Sequence, residues 1–163
     1  MKYEIPEMLK RGGGAIVNNG SVTGLVGAPG PVGNVATKHG VSGLTKSAAL
    51  QYATKGIRVN AVAPGLVRTV LGEQVAALHP DAEAAMLAAV PQSRWCEPEE
   101  IAEAVVFLCS PRASHVTGHV MAIDGGWTAR LVLLRASVRR HRSGLGRRGS
   151  CLYLAISYNY RIY

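Results

Sequence analysis

The sequence lacks a long hydrophobic run, a paired set of cysteines and an apolar N-terminal leader. No apolar stretch reaches the roughly 18 residues that a membrane-spanning helix needs, so the sequence excludes a transmembrane protein. The cysteines are odd in number and have neither metal-site nor redox-pair spacing, which predicts reduced thiols and no metal site: Cys96, Cys109 and Cys151. The opening MKYEIPEMLKRGGG is charged and contains a proline, so we expect no secretory leader and a cytoplasmic location.

Acidic residues are absent from the last fifth of the chain. All 10 of them precede position 131, where 11 lysines and arginines nearly balance them, whereas residues 131–163 carry 7 arginines and no acid. That segment also has neither helix nor strand periodicity, and so abrupt a change indicates a boundary. We therefore divide the chain into an α/β unit, 1–130, and an irregular basic tail, 131–163. We expect the tail to be disordered, with a composition typical of translation in another frame or past a lost stop.

Short β-type runs alternate with helical segments along residues 1–130, and no internal repeat is present. The runs are AIVNNGS (15–21), RVNAVAP (58–64) and VMAID (120–124). Alternation of this kind predicts an α/β fold with a parallel sheet. The segments between them predict a helix over 32–54 closed by Gly56 and a helix that begins at Pro98 in EPEE. An Ala/Leu-rich stretch over 66–90, broken by Pro80, predicts a mobile helical flap.

One face of the first long helix begins with polar residues and continues with residues suited to burial. Its members recur every three or four positions: Asn34, Lys38, Val41, Thr45, Ala48 and Tyr52. An inward lysine either meets a partner or ligand, or extends its ammonium to the surface. Ser21, at the carboxyl end of the first run, is either a ligand-binding residue or a turn and capping residue. Together with the turn Pro64-Gly65 after the second run, Ser21 and Lys38 would converge on one crevice.

GLVGAPG (24–30) links the first run to this helix, which makes it a candidate phosphate-binding loop. Its glycines are spaced Gly-x-x-Gly-x-x-Gly, and no Gly-Lys-Ser/Thr follows. Phosphate-binding loops have the spacing Gly-x-Gly-x-x-Gly or end in Gly-Lys-Ser/Thr, and this segment has neither. A flexible connection is therefore the favoured interpretation.

Four ordered segments of residues 1–130 resemble the C-terminal half of a short-chain dehydrogenase/reductase. They are GGGAIVNNGS, ATKHGVSGLTKSAALQYATKGIRVNAVAPG, RWCEPEEIAEAVVFL and VTGHVMAIDGGW. The resemblance implies the C-terminal part of a Rossmann-type doubly wound parallel sheet. It also implies NAD(P)-dependent hydride exchange with a small-molecule alcohol or carbonyl compound.

The resemblance assigns catalytic positions to Ser21, Asn34 and Lys38. In the family a serine polarises the substrate oxygen, a tyrosine transfers the proton, and a lysine lowers the pKa of the tyrosine and holds the cofactor ribose. Ser21 and Lys38 match the serine and the lysine, but Asn34 stands at the tyrosine position. A carboxamide has no proton that titrates in a useful range. Neither His39 nor Tyr52 is placed on the helix to replace the lost phenol.

For the cofactor, the resemblance assigns Lys38 and the segment PGLVRT, with four of its residues meeting the nicotinamide end: Pro64, Gly65, the Val67 backbone and the Thr69 side chain. The family's glycine-rich nucleotide loop, its NAG segment and the asparagine of its proton relay belong to a preceding half that does not match this sequence. Cys96 also stands where a glycine is usual. We therefore expect a truncated chain with weak or absent NAD(P) binding and no activity.

Two other functions remain open from the sequence. The long helix and the last strand build subunit contacts in the family, so the chain may instead be read as a non-catalytic assembly partner, in a homo-oligomer or with another family member. The arginine-rich VRRHRSGLGRR would suit nucleic-acid phosphates. Because any stray basic tail has the same composition, nucleic-acid binding is the least favoured of these functions.

Overall fold

A computed structural model describes residues 1–28 and 32–129, so the predicted disorder of the tail 131–163 lies outside the described residues. Three parallel strands form one sheet in the order β1-β2-β3: β1 (Gly14–Asn19), β2 (Ile57–Pro64) and β3 (Val120–Ile123). Five helices accompany them in the described residues: α1 (Glu4–Lys10), α2 (Val32–Tyr52), α3 (Val70–Leu78), α4 (Pro80–Ala89) and α5 (Pro98–Cys109). The predicted alternation of strands and helices and the parallel sheet are confirmed.

Strand β2 is central, and its two faces pack against different helices. Ile57 and Val59 point to one face and are fully buried beside Ala48 and Ala49 of α2 and Ile5 of α1. Successive side chains of a strand alternate between faces, so Arg58 and Asn60 point to the other side. The helices therefore cover both faces of the sheet, as a doubly wound fold requires.

Polar side chains of β2 connect it to the C-terminal end of α5 and the loop that follows. The Arg58 guanidinium donates to the carbonyls of Leu108 at 2.7 Å and Ser110 at 3.1 Å. The Asn60 amide donates to the carbonyl of Val116 at 2.9 Å and accepts from a backbone N–H further along that loop, at 3.0 Å. A cation at the last turn of a helix also complements its dipole.

The inward stripe predicted for α2 is present, and its far half is buried. Thr45 is completely buried, where its hydroxyl donates to the Val41 carbonyl at 2.8 Å and accepts from the Asn18 amide of β1 at 2.9 Å. These bonds explain why a polar residue is tolerated among apolar ones. Tyr52 packs on the core formed by α1, α2 and β2. Gly56 then ends the segment with a φ of 73°, a left-handed conformation that favours glycine.

Two of the remaining helices begin at prolines, one at Pro98, as the sequence predicts, and one at Pro80, where the sequence predicts a break. The Ala/Leu-rich stretch forms two helices instead of one, because α3 ends just before Pro80 and α4 begins there. Pro98 begins α5. Glu97 and Glu100 form a reciprocal capping box at the start of α5, which the sequence had not predicted because the cap is a glutamate rather than serine or threonine. The mobility of the flap stays a prediction. No helix in the described part is long and apolar enough to cross a membrane.

Candidate functional site

A crevice of about 330 Å³ lies at the carboxyl ends of β1 and β2, beside the first turns of α2. This is the edge at which open parallel sheets bind ligands, because loops there diverge to opposite faces. Every residue that the sequence assigns to a site lines this crevice, and three more complete the lining: Ser21, Asn34, Lys38, Pro64, Gly65, Val67 and Thr69, with Asn19, Gly20 and Ile101. The predicted convergence on one crevice is therefore present, whereas the role of each residue stays a prediction.

Ser21 is both a capping residue and part of the crevice wall. It lies two positions beyond the end of β1 in an extended conformation, and its hydroxyl oxygen accepts from the Thr23 N–H at 3.2 Å. That bond starts a short 3-10 turn over Val22–Gly24. The capping alternative that the sequence left open for Ser21 is therefore confirmed, whereas ligand binding by its hydroxyl at the crevice stays a prediction.

Lys38 is half-buried, and its ammonium donates to the Gly20 carbonyl at 3.0 Å. The close approach of α2 to the turn after β1 makes this bond possible. A Cβ added at Gly24 would lie 2.5 Å from the Lys38 carbonyl oxygen, so only glycine fits there without movement. The lysine is consequently held at the crevice by a backbone partner rather than turned out to solvent, and two of its ammonium protons remain for a ligand.

Thr23 lies next to the crevice lining and connects two of its polar residues, Ser21 and Asn34. Its hydroxyl lies 3.1 Å from the Ser21 hydroxyl oxygen and 3.2 Å from Oδ1 of Asn34. The sequence prediction missed Thr23. The signal that could have revealed it is a second hydroxyl two positions after a capping serine, a spacing that brings the two hydroxyls together in a local turn.

The crevice contains no evident proton donor for a reacting oxygen. Among its lining residues, Lys38 is the one titratable side chain. His39 bonds to the Val35 carbonyl on the exposed side of α2, at 3.0 Å, and Tyr52 is in the core. Both residues therefore lie outside the crevice, as their positions along α2 predict.

The residues present fit the nicotinamide–ribose end of a dinucleotide. Cys96 bridges to the backbone on either side of Val67, accepting from the Arg68 N–H at 2.9 Å and donating to the Leu66 carbonyl at 2.9 Å. Val67's own N–H is left without a backbone acceptor in the described part of the chain, and it can serve a carboxamide oxygen. Thr69 accepts from the Gly72 N–H at 3.1 Å and keeps its hydroxyl proton. The two ammonium protons of Lys38 that are not bonded to Gly20 would suit ribose hydroxyls.

The segment that carries Cys96 is fixed by a bidentate ion pair. Arg94 donates to both carboxylate oxygens of Glu100, each at 2.7 Å, and these bonds lower the pKa of Glu100 to about 2 and raise the pKa of Arg94. Burial raises the pKa of the Cys96 thiol, which keeps it protonated. The pair thus holds the strand-like bridge that presents Val67 to the crevice. No group of three or more potential metal ligands occurs in residues 1–28 and 32–129.

One further glycine pattern has the spacing of a nucleotide loop. GLGRRG, residues 144–149, reads Gly-x-Gly-x-x-Gly, but it lies outside the residues that the structure describes. Such a match carries weight only where a strand precedes it and a helix follows.

Comparison with known proteins points to one family. A family model described as enoyl-(acyl carrier protein) reductase matches residues 1–128. The cyclohexanol dehydrogenase of an Acinetobacter species is 49% identical over 130 residues, 80% of this chain and 49% of that protein. The inactive 2-(S)-hydroxypropyl-CoM dehydrogenase 2 of Xanthobacter autotrophicus is 48% identical over 134 residues, 78% of this chain and 57% of that protein. The structure of ElxO with NADP bound has a TM-score of 0.74 at 38% identity, covering 80% of this chain and 52% of that one.

The alignments cover most of this chain but only part of each relative. The chain spans about half the length of the curated relatives it matches. The family model nevertheless covers most of the chain, and the parallel sheet agrees with the Rossmann-type structures found for the relatives. The chain belongs to the short-chain dehydrogenase/reductase family.

Proposed function

We propose that this chain provides the substrate side of a short-chain dehydrogenase/reductase site and binds a small oxygen-bearing molecule there without catalysing hydride exchange. The observation that carries the proposal is Asn34, which lines the crevice together with Ser21 and Lys38. When bound, NAD(P) supplies the hydride chemistry of the family. In this crevice Lys38, Val67 and Thr69 would hold its nicotinamide end, and Ser21 and Asn34 would face the substrate oxygen.

The chemical reason is the difference between a carboxamide and a phenol. A phenol has an unperturbed pKa near 10, which a neighbouring ammonium lowers toward neutrality. Asn34 can hold an oxygen by a hydrogen bond but cannot pass a proton to it. General acid–base assistance contributes roughly 10²–10⁴-fold to a rate. The relative from Xanthobacter that is named inactive supports the idea that chains this similar include non-catalytic ones.

Weak cofactor binding is a second part of the proposal. The crevice residues serve only the nicotinamide end, and the glycine-rich connection before α2, GLVGAPG, lacks both the Gly-x-Gly-x-x-Gly spacing and the Gly-Lys-Ser/Thr ending of a pyrophosphate-binding loop. Phosphate contacts supply much of the orientation that hydride delivery requires. We therefore expect the chain of 163 residues to bind NAD(P)H weakly or not at all.

A second function, assembly with another chain, is favoured by the outer surface of α2. Leu50 is 84% exposed, Leu44 is 53% exposed and Val32 is 80% exposed on this helix. These exposed apolar side chains give α2 a surface that another chain could cover. A homo-oligomer or a complex with another member of the family would bury them.

The test separates the loss of the proton donor from the loss of cofactor binding. Four proteins are compared: the chain, its Asn34→Tyr variant, a chimera that adds the N-terminal half of the Acinetobacter cyclohexanol dehydrogenase, and that chimera with Asn34→Tyr. We expect no turnover from the first two and cofactor binding with low turnover from the third. The fourth should gain roughly 10²–10⁴-fold in rate, with a pH profile that reports a phenol.

Asn34→Phe in the chimera is the matched control, because it adds the ring without the hydroxyl and should gain no rate. Binding is followed by cofactor fluorescence and turnover by absorbance. Cofactor-dependent turnover by the unmodified chain that survives Lys38→Ala would show that the active site has been misplaced.

A further inference from the structure

We propose that the crevice recognises a carboxylate, held by the Lys38 ammonium and the Asn34 amide N–H groups, with Thr23 as the residue that positions Asn34. This inference rests on the proposed function, because it names the ligand class of the same crevice. It follows from counting the hydrogen-bond donors and acceptors that the folded chain leaves free.

Thr23 has one hydroxyl proton and two neighbouring oxygens, the Ser21 hydroxyl at 3.1 Å and Oδ1 of Asn34 at 3.2 Å. The amide oxygen can only accept, so the Thr23 proton goes to Asn34. Ser21 then donates its own proton to Thr23, while its oxygen already accepts from the Thr23 N–H at 3.2 Å. Both hydroxyl protons are therefore used inside the crevice wall.

The groups left for a ligand are mainly donors. With its oxygen engaged by Thr23, Asn34 presents its two amide protons to the crevice. Lys38 has two protons beyond the one bonded to the Gly20 carbonyl. The lining contains no carboxylate and one cation, and the first turn of the adjacent 21-residue α2 has no acidic residue to offset its positive end.

A carboxylate matches this set better than a ketone or an alcohol. It has two acceptor oxygens and a negative charge, and hydrogen bonds between an ammonium and an anionic oxygen are about twice as strong as neutral ones. A ketone offers one neutral oxygen. An alcohol likewise offers one neutral oxygen, so it gains no charge-assisted bond from Lys38.

Three probes with one ring test the preference: cyclohexanecarboxylate, cyclohexanone and cyclohexanol. Each is titrated into the full chain at low ionic strength, and binding is followed by the NMR signals of the Asn34 side-chain amide. We expect cyclohexanecarboxylate to bind roughly tenfold more tightly than cyclohexanone or cyclohexanol, in line with charge-assisted bonding.

The variants locate the preference in the named residues. Lys38→Met should abolish it, and Lys38→Arg should restore part of it. Lys46→Met, an exposed change of the same charge two turns further along α2, should leave it unchanged. Thr23→Val should lower the ratio of carboxylate to ketone affinity by about threefold, roughly one neutral hydrogen bond's worth, and Thr23→Ser should restore it. A purely structural role for Thr23 would change the melting temperature without changing that ratio.

The outcomes distinguish this inference from the proposed function. Binding of cyclohexanone without a preference for cyclohexanecarboxylate would overturn the inference and leave the proposed function standing. Absence of binding by all three probes would overturn both. Equal losses from Lys38→Met and Lys46→Met would show that the carboxylate follows the general charge of α2, which also overturns the inference.

Discussion

Asp124 is a buried carboxylate whose partners are hydrogen-bond donors of its own loop. It is 9% exposed, and it accepts from the Gly126 N–H at 2.9 Å, the Thr128 N–H at 2.8 Å and the Thr128 hydroxyl at 2.6 Å. Burial raises the pKa of this carboxyl, but the bonds from Thr128 and Gly126 lower it by more, so the pKa lies below its ordinary value. Folding therefore favours the ionised form of the Asp124 carboxyl, and ionisation of this group stabilises the folded chain.

We predict that Asp124→Asn lowers the free energy of unfolding at pH 7 by about 1–3 kcal/mol, the usual size of a loss of charge-assisted hydrogen bonds. Since the folded pKa is the lower one, this stabilisation is complete above the unfolded value of about 3.9 and is lost as the pH falls through the folded value. Urea titrations of both proteins at pH 7 and pH 3 measure the difference in their free energies of unfolding, and this difference should be smaller at pH 3. Asp81→Asn, an exposed change on α4, is the control. A difference that is the same at both pH values would contradict the role given to the carboxylate.

Helix α2 is in close contact with Gly24 of the turn after β1, and glycines within the helix make no such contact. A Cβ at Gly24 would meet the Lys38 carbonyl oxygen at 2.5 Å and its carbon at 2.8 Å, both of them backbone atoms that cannot rotate away. A Cβ at Gly40 or Gly43 would meet nothing within 4 Å. The turn after β1 therefore approaches α2 more closely than any side chain allows, and that approach sets where Lys38 lies.

We predict opposite effects for two alanine substitutions. Gly24→Ala should lower the free energy of unfolding by about 1–3 kcal/mol, as overpacking against rigid backbone does, and should shift the NMR signals of Lys38. Gly40→Ala, on an exposed helix surface, should raise it by roughly 0.5–1 kcal/mol because alanine favours the helix. Thermal and urea unfolding measure both. Equal effects of the two changes would show that the close approach is not needed.

The elements that strong periodicity marks were predictable from the sequence, and contacts between elements were not. The stripe from Asn34 to Tyr52, the Gly56 end and the Pro80 and Pro98 starts followed local rules and are present. Strand β1 stops two residues before Ser21, because its end is set by pairing with β2 and not by its own residues. The sequence also did not reveal Thr23 and Arg58, because each bonds to a residue of another element, Asn34 and Leu108 respectively. Their importance comes from partners that only the folded chain brings near.

The whole sheet has an uncovered side along β1 in the part of the chain that the structure describes. The Gly14 N–H donates to the carbonyl of Gly56, just before β2, at 3.1 Å, and the Gly20 N–H donates to the Val62 carbonyl of β2 at 2.8 Å. Since residues of a parallel strand alternate between its two sides, the backbone groups of Ala15, Val17 and Asn19 point away from the sheet. An exposed edge of this kind is a template for pairing with another chain.

We predict that the chain self-associates at micromolar concentration and that Val17→Pro reduces this association. Proline removes an N–H that points away from β2, so the β1–β2 hydrogen bonds survive. Val17→Ala also removes the valine side chain but keeps the N–H, so this variant should still associate. Size-exclusion chromatography with light scattering gives the masses. A monodisperse monomer for the unmodified chain would show that the edge is covered.

The parallel order of the strands also delays strand pairing while the chain is being synthesised. Gly14 pairs with Ile57, 43 positions later, and Ala61 pairs with Val120, 59 positions later. At about 5–20 residues per second on the ribosome, β1 waits roughly 2–9 s for its first partner strand to be made, and the central strand waits longer still for β3. During those seconds the run AIVNN lacks the partner strand that it has in the folded sheet. Holding by a chaperone, rather than the speed of folding, would then decide how much of the protein reaches its sheet.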